Sequence, residues 1–73
     1  MMARLSTSDY DALERAVTLR TRLSILRRGT EYIVIPERLF MRDGREAIEA
    51  VHPTTGDHIT LTLDEIDSFE VVR

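Results

Sequence analysis

The sequence predicts a mainly β fold, with one N-terminal helix followed by a small, strongly bent antiparallel barrel of five strands. Three observations carry this reading. Apolar residues recur with a helical period only between Tyr10 and Val17, and from Arg20 onward the period falls to two. Gly29, Gly44 and Gly56 then divide the chain into short extended runs. Finally, the alternation of Ile59, Leu61 and Leu63 passes into the three-residue spacing of Leu63, Ile66 and Phe69. That change marks a strand entering a 3₁₀-like turn while still feeding one core.

The helix is expected over residues 8–18. Ser6-Thr7-Ser8 offers N-caps, and Ser6 with Asp9, or Ser8 with Asp11, has the spacing of a capping box with Asp in place of Glu. Asp9, Asp11 and Glu14 fall in the first turns, where the helix dipole favours negative charge. Tyr10, Leu13 and Val17, with Ala16 alongside, form a stripe two turns long. Such a helix is too short to persist alone, so the stripe must dock. It is expected to cover one open end of the barrel, and residues 1–7 to be flexible.

The strands follow in order. In residues 21–28, Leu23 and Ile25 share one face while Arg20, Arg22 and Ser24 share the other, and Gly29-Thr30 turns the chain. Residues 31–41 form a longer second strand, apolar on both faces at Tyr32–Ile35 and therefore central, with a bend or bulge at Pro36. Asp43-Gly44 is a type I′ hairpin signal. Residues 46–52 form the third strand, with Ile48 and Ala50 inward and Glu49 outward. A turn over Pro53–Asp57 leads to the fourth strand at 58–63. The fifth strand, 69–73, follows a turn over 64–67 that Asp64 is expected to cap. One helix and five strands in meander order are the ingredients of an Sm-like or SH3-like barrel. An open α+β sheet is the structural rival.

Seventy-three residues make a single domain, residues 1–73, with one small core. There is no cysteine to supply a disulfide or a thiolate metal site. The opening residues lack the apolar run of a signal peptide, and no stretch reaches the roughly 20 apolar residues of a membrane span. A cytoplasmic location, with no membrane partner and no cofactor, is the expectation. Charge is uneven. Residues 1–42 hold eight Arg against five acids (8 − 5 = +3), and residues 43–73 hold two Arg against eight acids (2 − 8 = −6). Such a chain can offer an acidic face to a basic partner or an Arg patch to an anion. All ten basic residues are Arg, which we read mainly as compositional bias.

Asp9-Tyr10-Asp11-Ala12-Leu13-Glu14-Arg15-Ala16 and Leu63-Asp64-Glu65-Ile66-Asp67-Ser68-Phe69 carry a family resemblance. The first is similar to the opening helix of the Rof-like proteins, antiterminators that bind the transcription terminator Rho. The second is similar to that family's Leu-Asp-x-Ile ending. The resemblance spans residues 8–70 and implies a helix plus an Sm-like barrel without enzymatic activity. It also implies that Asp9, Asp11 and Glu14 face a basic, RNA-binding surface on a protein partner, Rho or another. The family's Pro- and Cys-containing segment ahead of the helix has no counterpart in residues 1–7. The barrel half separately resembles a WYL-type regulatory, ligand-sensing domain through Ile35-Pro36-Glu37-Arg38-Leu39, residues 47–51 and Leu63-Asp64-Glu65-Ile66, without the Trp-Tyr-Leu signature.

Each candidate has a plainer alternative. Asp9, Asp11 and Glu14 could simply compensate the helix dipole. Arg20, Arg22, Arg27 and Arg28 could line an RNA groove, in an oligomer whose fourth strand pairs with the fifth of the next subunit at the open sheet edges. Single-strand binders interleave such charges with stacking aromatics, however, and Tyr32 and Phe69 are needed in the core, so a solvated strand face is preferred. His52 and His58 flank the 53–57 turn with Asp57 close by, a set that could hold Zn²⁺ but more often is ordinary surface. Ser6, Ser8, Ser24 and Ser68 fall in caps, a strand and a turn, and no Gly-rich phosphate loop is present, so catalysis is not expected.

Overall fold

A computed structural model describes residues 5–72. Helix α1 spans Thr7–Leu19. Five strands follow: β1 (Leu23–Arg27), β2 (Thr30–Arg42), β3 (Arg45–Val51), β4 (His58–Thr62) and β5 (Ser68–Val71), with a 3₁₀ turn, η1 (Leu63–Glu65), ahead of the last. They form one antiparallel sheet in the order β4-β3-β2-β1-β5, which does not close on itself. The expected meander therefore breaks at its last step, because β5 leaves β4 and returns to pair with β1, Ile25 opposite Phe69. The five residues 63–67, which contain η1, carry the chain across to β5.

Ser6 caps α1. Its hydroxyl accepts from the Asp9 backbone N–H at 3.0 Å, and the Asp9 carboxylate accepts from the Ser6 N–H at 3.2 Å, a complete capping box. The helix ends in a Schellman pair: the Thr21 N–H donates to the Ala16 carbonyl and the Arg20 N–H to that of Val17. Arg20 occupies the left-handed cap position at φ 54°, where glycine is usual. Leu13 and Ala16 are buried, chiefly against β2, whereas Val17 is only half-buried. Within the segment 1–7, expected to be flexible, Leu5 packs on the core, Ser6 caps α1 and Thr7 begins it; residues 1–4 lie outside the described region.

Two tight hairpins organise the sheet. Arg28 and Gly29 both have positive φ (50° and 78°), as do Asp43 and Gly44 (52° and 77°), the signature of type I′ turns. The first turn is thus Arg28-Gly29, one residue earlier than expected, because Thr30 already pairs with Arg27. β2 is the spine, pairing with β1 through its first half and with β3 through its second. The register shifts between Pro36 and Arg38, the bulge anticipated at the proline. Proline fits there because β2 changes partners at this point and the missing N–H disrupts one ladder position only.

The core consists of Leu13, Ala16, Leu23, Ile25, Val34, Ile48, Ala50, Leu61, Leu63 and Ile66, with Tyr32, Ile59 and Phe69 packed against it. Asp64 does not cap η1: no side chain caps that turn, and Asp64 instead faces Arg45 at 3.4 Å. The turn is held from its other end. The Asp67 N–H donates to the Leu26 carbonyl at 2.7 Å, and the Asp67 carboxylate accepts from the Arg28 N–H at 3.0 Å, tying the β1–β2 turn to the entry of β5. No helix among the described residues is long and apolar enough to cross a membrane.

Candidate functional site: the acidic flank of the helix

Docking α1 on β2 leaves its two flanks in different surroundings. On one, Tyr10 lies toward Glu46 near the start of β3, with Glu14 one turn further along the helix. There the Glu46 carboxylate meets the Tyr10 hydroxyl and raises the phenol's pKa above its ordinary 10.0. Hydrogen bonding to Glu46 is the largest cause, followed by desolvation and the charges of Glu46 and Glu14. Three residues from two elements thus share one acidic neighbourhood. Met41 stands directly across from Glu46 in the β2–β3 register and is 62% exposed, so this neighbourhood borders an apolar side chain.

Asp11 and Glu14 are exposed, and neither is in an ion pair among the described residues. Most other acids are engaged. Glu37 faces Arg20 at 3.4 Å and His58 at 3.5 Å, Glu49 faces Arg38 at 2.9 Å, and Glu65 faces Arg28 at 3.9 Å. Asp9 differs from its two helix companions: it is half-buried and committed to the capping box, which makes it a structural residue first. Nothing in the sequence marks Glu46, which is one of several strand acids. Only the docking angle of α1 brings it to Tyr10.

The four arginines expected on one strand face are dispersed. Arg20 is the helix C′ residue and Arg22 precedes β1, so neither belongs to that strand. Arg27 stacks over Tyr32 with its guanidinium carbon 5.2 Å from the ring centroid and donates to the tyrosine hydroxyl at 3.1 Å. Arg28 lies in the hairpin turn beside Glu65. A hydrogen bond from the Thr62 hydroxyl, helped by Arg27 and Arg28, holds the Glu65 carboxyl below its ordinary 4.5. These four arginines therefore do not share one strand face.

His52, Asp57 and His58 do not converge as metal ligands. The His52 Nδ1 accepts from the backbone N–H groups of Thr54 and Thr55 at 3.1 and 3.2 Å, so it organises the β3–β4 turn. The His58 Nδ1 points to Glu37. No group of three His, Cys, Asp or Glu among the described residues is placed to hold a metal ion.

No known protein family, curated protein or solved structure matches the chain. What the fold and surface define is a class: a small, mainly β domain of one helix on a five-stranded open sheet, bearing an acidic helix flank.

Proposed function

We propose that this domain is a non-enzymatic protein-binding regulator of the Rof-like kind, in which the acidic flank of α1 docks on a basic protein surface such as that of the Rho termination factor. The observation that carries this reading is that Glu14, beside Tyr10 and Glu46, and Asp11 are exposed and in no ion pair among the described residues, with the exposed Met41 across from Glu46. Carboxylates left unpaired within a fold are available to a partner's Arg and Lys, and a bordering apolar side chain gives the contact a desolvated centre. The sheet order, the long β2 bent at Pro36 and the 3₁₀ turn before β5 are in keeping with the Sm-like or SH3-like barrel that such a regulator would have.

The reading is tested by titrating purified Rho with this protein at low and at moderate salt. Binding should occur at micromolar concentration, weaken with added salt, and weaken at least about tenfold in an Asp11→Asn/Glu14→Gln/Glu46→Gln triple variant. Absence of binding at low salt would refute Rho as the partner. Binding indifferent to the triple variant would refute the acidic flank as the contact.

A further inference from the structure

The opposite flank of α1 carries a different surface. Ala12, Arg15, Ala16 and Leu19 follow one another at i, i+3, i+4 and i+7, a single stripe along the helix. With Thr21 and Val71 they line a groove of about 340 Å³ between the C-terminal half of α1 and β5. The groove has depth because Ala12 and Ala16 contribute only methyl groups to its wall. Leu19, at its end, is 66% exposed, more than any other large apolar residue among those described. Val72, just past β5, is also exposed.

Two independent features say what would fill it. First, β5 is a sheet edge, hydrogen-bonded to β1 on one side and paired with no strand on the other among the described residues. Its outward N–H and C=O groups are a template for an added strand. A residue placed opposite Val71 on such a strand would have its Cβ roughly 5 Å away, within reach of the groove. Second, Arg15 stands at the rim and is in no ion pair among the described residues.

We infer that this groove binds an extended segment of a partner protein that adds to β5 as a sixth strand. The segment seats one large apolar side chain among Ala12, Ala16, Leu19 and Val71 and sets an acidic side chain against Arg15. The inference does not rest on the function proposed above, since it uses the other flank of the helix.

The test uses the full chain and a labelled heptapeptide, Thr-Glu-Thr-Leu-Thr-Glu-Thr, whose Leu and Glu residues share one face of a strand. Fluorescence anisotropy should give a Kd on the order of 10⁻⁵ M, since a short strand loses much of its contact energy to ordering. Amide NMR shifts should concentrate at Ser68–Val71 and around Leu19. Ala12→Leu, a substitution that keeps helix propensity and fills the groove, should weaken binding about tenfold or more. Arg15→Glu should weaken it similarly and recover with the peptide whose two Glu residues are replaced by Lys. No binding by the parent protein, affinity unmoved by both variants, or shifts centred on β4 would each overturn the inference. So would sedimentation showing a peptide-free dimer that Ala12→Leu dissociates, because the occupant would then be a second copy of this chain.

Discussion

The Glu46 carboxylate on β3 lies against the Tyr10 hydroxyl on α1, and through that contact the helix and the β2–β3 hairpin share one charge environment. The neutral phenol is favoured there, so Tyr10 titrates above its ordinary 10.0. The folded-state pKa is raised, so the stabilisation is fully present below pH 10 and is lost as pH rises through the folded value. Phenolate absorbance in a Tyr32→Phe background should report this directly. Glu46→Gln removes the carboxylate that accepts from the phenol, the largest cause of the shift, together with its charge, and should move the titration back toward 10.0; an unmoved curve would show that the two side chains do not meet.

Glu65 gives the opposite sign. Its pKa is lowered from 4.5 by the Thr62 hydroxyl first and by Arg27 and Arg28 after it. The stabilisation it provides is therefore present above pH 4.5 and is lost as pH falls through the lower, folded value. Melting temperatures of the parent and of Glu65→Gln should differ at neutral pH and converge in acid. A gap that stays constant across that window would remove Glu65 from the account.

Arg20 holds a left-handed backbone conformation that costs a non-glycine residue about 1 kcal/mol. Its exposed ion pair with Glu37 offsets no more than part of this. We expect Arg20→Gly to be neutral or to stabilise by up to about 1 kcal/mol in chemical denaturation, even though glycine is usually harmful. A loss above about 1 kcal/mol would mean that the Glu37 contact is stronger than exposed pairs generally are.

Asp67 fastens the β1–β2 turn to the start of β5 through the Arg28 N–H. Asp67→Ala should cost about 1–2 kcal/mol and weaken hydrogen-exchange protection at Arg28 ahead of the β3–β4 hairpin. Uniform loss across the sheet would point instead to a global effect without a local clasp.

The sequence made the elements legible wherever one residue type had one structural use. Asp43-Gly44 could only be a tight turn, Pro36 could only interrupt a ladder, and Ser6 with Asp9 matched the geometry of a cap. It misled where a residue had two competing uses. Asp64 has a cap's chemistry, but Arg45 lies within reach across the fold and takes it. Arg20 and Arg22 fit a two-residue alternation, but the Schellman ending of α1 claims the first and the second falls ahead of β1. The return of β5 to β1 left no local trace, since Phe69 opposite Ile25 is a contact between distant residues that alternation cannot encode. The candidate sites followed the same division. Asp11 and Glu14 were visible as helix acids, whereas Glu46, Met41 and the groove beside Leu19 exist only once α1 has docked.

That return of β5 also sets an order of events during synthesis. β1, β2 and β3 can pair through two-residue turns as they emerge, but the outer side of β1 waits for Phe69, 44 positions beyond its partner Ile25 (69 − 25). Closing so long a loop comes late and slows folding relative to hairpin formation. A nascent chain that has not yet delivered Ser68–Val71 displays a bare, apolar-rich β1 edge to its neighbours on the polysome, and it is in that interval, rather than after release, that the protein is most exposed to mispairing.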